Sequence, residues 1–157
     1  VVIRTASAGA AGVVLFNRFF EHDIDTEKEE PYASLHFSHP TDYRLPLRYT
    51  GLLADEIAGD ICCSTGIFDG RQAAAVLLAG AQAFQVVSTL YTNGVGQIKT
   101  ILDGLERWMD GKGYADLAAF RGKLSRGNLD DPLTYSRVQY ARLLMHPEEY
   151  IENVPRV

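Results

Sequence analysis

Cysteine is nearly absent from this chain of 157 residues, which carries two, Cys62 and Cys63, side by side. Neighbours on a strand point to opposite faces, which argues against a disulfide between them; the pair reads as reduced thiols packed in a cytoplasmic protein. Long apolar runs are missing too. No stretch approaches the ~18 residues of a membrane span, and the N-terminus lacks the layout of a signal peptide. Positive charge is in deficit: 15 Lys and Arg face 20 Asp and Glu, a net charge of −5. The basic residues are scattered, with no stripe interleaved with aromatics, which argues against nucleic acid or an anionic membrane as main partner. His22, His36 and His39 lack metal-ligand spacing, so no metal site is expected.

What the chain does have is apolar content, 46% of its residues. A domain of this length buries roughly 68–70% of its unfolded surface around one core. The apolar residues fall into short strand-like runs alternating with helical patterns. The opening segment to Ala11 resembles the tail of a helix. Gly12 to Asn17 is a continuous apolar run, expected to be a strand buried on both faces. A polar excursion spans residues 18–46 with three prolines and the acidic run Glu27–Glu30, and it is read as a lid or small hairpin containing a strand over Tyr32–Phe37. Helical spacing predicts a helix from Leu47 to Ala58. Ile61–Cys63 is the second buried strand. Asp69 and Gln72 make a variant capping box for a helix whose buried face is Ala73, Val76, Leu77 and Gly80, with Gly80 as C-cap. Ala83–Val87 is the third strand. A long amphipathic helix over Gly94–Asp110 buries Ile98, Ile101, Leu102, Leu105 and Trp108/Met109, and Gly111 and Gly113 end it. A short helix is expected around Asp116–Gly122 and another over Pro132–Leu144.

This alternation means parallel strands joined by right-handed crossovers. It fits part of a (β/α)8 barrel, whose usual length is ~250 residues. A small doubly wound sheet is the alternative, but its Gly-rich corner belongs after the first strand, where this chain has Asn17–Arg18–Phe19. Two successive strand-to-helix corners end in small residues, Ser64–Thr65–Gly66 and Val87–Ser88–Thr89. Barrels hold phosphate at such corners, where short side chains admit close approach and helix N-termini supply N–H groups and a favourable dipole. Without a ligand the same corners are simply tight turns.

Three groups of residues carry a resemblance to a known family. They are Gly12–Phe19 with Asp23–Ile24–Asp25; Ser64–Ile67, Gly70–Ala73, Leu77–Ala81 and Gln85–Val86; and Gly113–Tyr114, Leu117 and Phe120–Leu124. Their order and spacing resemble the C-terminal half of class 1 dihydroorotate dehydrogenases, flavin-dependent (β/α)8 barrels, and more narrowly the dihydroorotate dehydrogenase-like branch. The resemblance implies an α/β fold comprising about strands 6–8 with their helices, over residues 1–125, followed by a C-terminal helical extension over 126–157. It implies FMN as cofactor and dihydroorotate-to-orotate oxidation as the parent reaction.

In that family the corner after the seventh strand is usually Gly-Gly plus an aliphatic residue, and its amides bind the FMN phosphate; here Thr65–Gly66–Ile67 stands there. Thr65 keeps an N–H and adds a hydroxyl for phosphate, but forbids an easy positive φ, so a differently shaped loop is expected. The corner after the eighth strand, usually Gly-Thr, is Val87–Ser88. Ser64, Thr65, Gly66, Val87 and Ser88 are the implied cofactor residues. Asn17 matches the asparagine that binds the pyrimidine substrate, the alternative being a strand-end cap. Arg18 replaces a usual Ser or Thr, as a carboxylate-binding guanidinium or as a solvated charge. The family's base and flavin-contacting lysine lie in the earlier half, so no catalytic residue is assignable. The chain is expected to be inactive alone and to associate with the missing N-terminal half or with itself. Another phosphate-binding barrel enzyme, or a non-catalytic half-barrel working through association, are the alternatives.

Overall fold

The computed structural model describes residues 1–18, 21–34, 36–131, 134–135 and 144–145, with Glu21 and Ser34 described by backbone alone. Three strands, β1 (Gly12–Leu15), β4 (Asp60–Ser64) and β5 (Ala83–Gln85), form a parallel sheet in the order β1-β4-β5. Their register aligns Val14 with Cys62 and Cys62 with Ala83, so all three strands end at nearly one level. Between β1 and β4 lie a hairpin, β2 (Glu21–Asp25) antiparallel to β3 (Glu30–Ser34), and helix α2 (Arg44–Leu53). Helix α1 (Val2–Ser7) precedes β1; α3 (Gly70–Leu78), α4 (Ser88–Asn93) and α5 (Gln97–Lys112) complete the set.

One face of the sheet is packed and the other is open. Leu15, Ile61 and Cys63 are buried at 2%, 1% and 0% exposure, on the face that meets α2 and α3. Cys63, Ile67, Ala73, Val76, Ala81 and Ile101 form one core cluster. A second joins Ala74, Leu77, Leu105 and Phe120, flanked by Trp108 and Met109. Trp108 lies edge-on to Phe120 with ring centroids 5.0 Å apart, so both Trp108 and Met109 are packing residues. The residues of opposite parity, Val14, Cys62 and Ala83, stand on a face with no covering layer among the described residues. Val14 is 46% exposed. This corrects the expectation of a first strand buried on both faces: β1 is an edge strand, paired among the described residues only with β4.

Other expectations are met or shifted for local reasons. The excursion does contain a hairpin, with its second strand at Glu30–Ser34 rather than Tyr32–Phe37. Helix α2 starts three residues early because Pro46 occupies its first turn, where a missing N–H costs nothing. It ends at Leu53; beyond it, Asp55 accepts from Ser125 Oγ (3.1 Å) and Gly127 N (2.7 Å). The capping box is formed: Gln72 N donates to Asp69 Oδ1 at 2.9 Å and Asp69 N to Gln72 Oε1 at 3.1 Å. Gly80, with φ +114°, closes α3 as expected. On α5, Ile101 and Leu105 are buried, but Ile98 and Leu102 are 46% and 47% exposed. Gly111 lies inside that helix, and Gly113, at φ +73°, ends it. No helix forms at Asp116–Gly122. The Asp116 carboxylate takes the Ala119 N–H (2.8 Å), and the Gly122 and Leu124 N–H groups turn to the Leu77 and Leu78 carbonyls of α3. The helix expected over Pro132–Leu144 falls almost wholly outside the described residues. No helix among those described is long and apolar enough to cross a membrane.

Candidate functional site

Because β1, β4 and β5 run parallel and in register, the chain leaves all three on one side of the sheet. Phe16–Asn17–Arg18, Thr65–Gly66–Ile67 and Val86–Val87–Ser88 therefore converge. Asn17 and Arg18, Thr65–Gly66–Ile67 and Val86–Val87–Ser88 line a single cavity of about 420 Å³, closed on a further side by His36, Phe37 and Ser38 from the end of the excursion. All seven residues singled out from the sequence, Asn17, Arg18, Ser64, Thr65, Gly66, Val87 and Ser88, stand in its wall. Asn17, Arg18 and Thr65 also border an adjoining cavity of about 410 Å³ with Thr41, Asp42 and Arg44.

The first corner differs from its expected shape. Thr65 does adopt positive φ, +88°, followed by Gly66 at +73°. For a β-branched residue this is an outlier, sustained only where the surroundings over-determine it. What holds it is visible: Thr65 Oγ1 donates to the Phe16 carbonyl at 2.9 Å. The hydroxyl is thus engaged with β1's continuation, which corrects the expectation that it serves a phosphate. Gly66 is glycine for two reasons, its φ and its packing, since a Cβ there would run into the Tyr43 backbone nitrogen.

The helix contribution is also corrected. The N-terminal turn of α3 is closed by its own Asp69 carboxylate, and α4 has only six residues. What the corners offer instead is backbone. Among the described residues, the N–H groups of Gly66, Ile67, Ser88 and Thr89 enter no backbone hydrogen bond. Ser88 Oγ accepts from Ser38 N at 2.9 Å and so keeps its proton for another acceptor. Free amides and a hydroxyl donor together fit a phosphate group.

Arg18 is not solvated alone. Its Nη1 lies 3.2 Å from Asp42 Oδ2 and 3.3 Å from the Phe37 carbonyl. Asp42 also accepts from His39 N at 2.8 Å. The segment 36–42 is further tied by Gln72 Nε2 to the Pro40 carbonyl (2.7 Å) and by Phe37 stacked on Tyr91, centroids 5.3 Å apart. Phe37 and Tyr91 in the cavity wall, and Gln72 as the anchor of the segment beside it, were not among the residues the sequence pointed to. Gln72 carried a signal only as a cap, and the aromatic pair is 54 positions apart, beyond any local pattern.

The thiols take no part in this cavity. Burial pushes Cys63 up to about 11, partly offset by the Thr50 hydroxyl 2.9 Å from its sulfur, and burial also raises Cys62. Both stay protonated near neutrality; Cys63 packs in the core, while Cys62 stands half-buried on the open face. Among the described residues no group of three His, Cys, Asp or Glu is arranged to hold a metal ion.

No protein-family model matches the chain. Among curated proteins it is 30% identical over 118 residues to the catalytic subunit of dihydroorotate dehydrogenase B (NAD(+)) of Pyrococcus abyssi, covering 73% of this chain and 40% of that protein. It is 42% identical over 59 residues to the probable dihydroorotate dehydrogenase A (fumarate) of Streptococcus pneumoniae, covering 38% of this chain and 19% of that one. In three dimensions it matches DHODH of Eimeria tenella, with a TM-score of 0.61 at 18% identity, over 75% of this chain and 32% of that chain. The ligand-free form of the same protein matches with a TM-score of 0.61 at 17% identity, over 77% of this chain and 34% of that one. The resemblance to class 1 dihydroorotate dehydrogenases therefore holds across about three-quarters of the chain. The described fold is a partial α/β fold of the kind found in that TIM barrel. The chain spans about 40% of the length of its longer-matching curated relatives.

Proposed function

We propose that this chain is the FMN-phosphate-binding portion, about strands 6–8, of a dihydroorotate dehydrogenase-like flavoprotein. The observation that carries the reading is the convergence of the seven sequence-selected residues on one cavity at the strand ends. In barrel enzymes that end is where ligands bind. The amides of Gly66, Ile67, Ser88 and Thr89 and the Ser88 hydroxyl would hold the phosphate, and Asn17 would present both edges of its amide to a pyrimidine-like substrate. When bound, FMN supplies the redox chemistry; the protein groups position it. Arg18, fixed against Asp42, borders the substrate side and shapes its charge.

The open sheet face fits a chain that works with a complementary set of strands. Val14, Cys62 and Ala83 stand on the face that a barrel turns inward, and a barrel fills that interior with layers of side chains from all its strands. No base is assigned within this chain, and by itself it is proposed to be inactive. Association with an N-terminal half-barrel, or with a second copy, would cover that face. The family's cytoplasmic setting is part of the same reading.

FMN titration followed by quenching of flavin fluorescence tests the proposal, with the chain alone and mixed with the preceding portion of a relative's barrel. Uptake of FMN that is lost in Gly66→Val supports it. Absence of uptake in both preparations overturns it and leaves a non-catalytic half-barrel as the better reading.

A further inference from the structure

Asn17 sits between two anchors, and the chain around it closes into a ring. On one side Thr65 Oγ1 holds the Phe16 carbonyl at 2.9 Å. On the other, Arg18 is held by Asp42 at 3.2 Å. Asp42 leads directly into Tyr43, whose backbone packs so closely on Gly66 that no Cβ fits between them. Gly66 is bonded to Thr65, and the circuit is complete. Asn17 lines both cavities that meet at this ring.

Thr65 is the anomalous member. A β-branched residue at φ +88° is strained, and glycine would relieve that strain without altering the path of the loop. Among its described hydrogen bonds, the one that glycine does not reproduce is the bond to Phe16. We infer that Thr65 is a positioning residue: its hydroxyl, through the Phe16 carbonyl, fixes the backbone that presents Asn17, and so couples the phosphate corner to the substrate side of the same site. The inference rests on the dihydroorotate dehydrogenase-like reading for the identity of the ligands, but the coupling itself is a property of the chain without them.

The test compares wild type with Thr65→Gly, Thr65→Val and Thr65→Ser in the whole chain. Thr65→Gly exchanges relief of strain for loss of the bond and of unfolded-state stiffness, opposing effects of similar size, so its thermal midpoint should stay within a few degrees. Its effect on Asn17 should not stay small. Without any ligand, 15N relaxation of the Asn17 and Arg18 amides should show new mobility in Thr65→Gly and Thr65→Val. The Phe16 carbonyl 13C signal should shift in both, and Thr65→Ser should restore both readouts. With FMN bound, orotate should bind about tenfold more weakly to Thr65→Gly than to wild type, and nearly as wild type to Thr65→Ser. An Asn17 amide as rigid in Thr65→Gly as in wild type overturns the inference. If wild type takes up no FMN, alone or mixed with the preceding portion of a relative's barrel, the functional reading falls, while the ligand-free spectra still decide whether Thr65 positions Asn17.

Discussion

The Ser38 backbone N–H donates to Ser88 Oγ at 2.9 Å, across 50 positions of sequence. This bond joins the end of the excursion to the second strand-end corner and makes the cavity a closed-sided one. It also orients the Ser88 hydroxyl, because a hydroxyl that accepts one bond directs its proton elsewhere.

Replacing Ser88 with Ala removes both roles. FMN affinity should fall about tenfold, the scale of one hydrogen bond to a charged group. Chymotryptic cleavage at Phe37 should quicken, since the Ser38 anchor is lost. Ser88→Thr should behave as wild type in both. Flavin fluorescence titration and limited proteolysis followed by mass spectrometry measure the two effects.

Helices α3 and α5 meet backbone to backbone at Gly70 and Gly104. A Cβ at Gly70 would enter the Gly104–Leu105 peptide, whereas one at Gly104 would lie 3.3 Å from Gly70 Cα. Gly70→Ala should therefore destabilise the protein by about 2–3 kcal/mol through overpacking. Gly104→Ala should stay within about 1 kcal/mol of wild type, because better helix propensity offsets a small adjustment. Urea unfolding distinguishes the two.

Asp69→Ala removes a cap and should cost about 1 kcal/mol. Gln72→Ala should cost more and do something different. Its side chain accepts from Phe68 N (2.6 Å) and Asp69 N (3.1 Å) and donates to the Pro40 carbonyl (2.7 Å). Hydrogen exchange should therefore rise in residues 36–42 for Gln72→Ala and not for Asp69→Ala.

Cys63 sets an alkaline limit. Its folded value is pushed up to about 11 from an ordinary 9.0, with burial as the main cause. Below pH 9 both states hold the proton and stability is fully present. Between pH 9 and 11 the unfolded thiol ionises first, so stability falls with rising pH, by up to about 2 kcal/mol for this group. Unfolding free energies of wild type and Cys63→Ala across pH 8–11 should show a steeper decline in wild type. Cys63 should also resist alkylation at pH 8 until denaturant is added, and half-buried Cys62 should react first.

The legible features of this protein were those written in adjacent residues. Asp69 and Gln72 announce a helix start because a cap is a three-residue contact. Gly80 and Gly113 announce helix ends because a left-handed turn needs no distant partner. The run at Ile61–Cys63 marks a central strand by apolarity alone. Ile98 and Leu102, by contrast, have the helical spacing of buried residues yet stand exposed. Asp116–Gly122 has helix-like content and forms turns: the Ala119 N–H goes to the Asp116 side chain and the Gly122 N–H to the Leu77 carbonyl of α3, which confines local bonding to the Phe120 and Arg121 N–H groups on the Leu117 carbonyl. Periodicity reports which residues share a face, and cannot report whether anything covers it.

Sequence by itself determined the alternation of β1, α2, β4, α3, β5 and α5, the two small-residue corners and the family they resemble, since each depends on neighbours within a few residues. Tertiary structure alone decided how those corners work. A threonine at position 65 disfavours positive φ, and it occupies positive φ because Phe16, forty-nine positions away, supplies the acceptor that holds it there. Its hydroxyl, by sequence a donor for phosphate, is an internal tie for the same reason. A dihedral preference is a local energy of about 1–3 kcal/mol, and a hydrogen bond with packing brought together by the fold is enough to outweigh it.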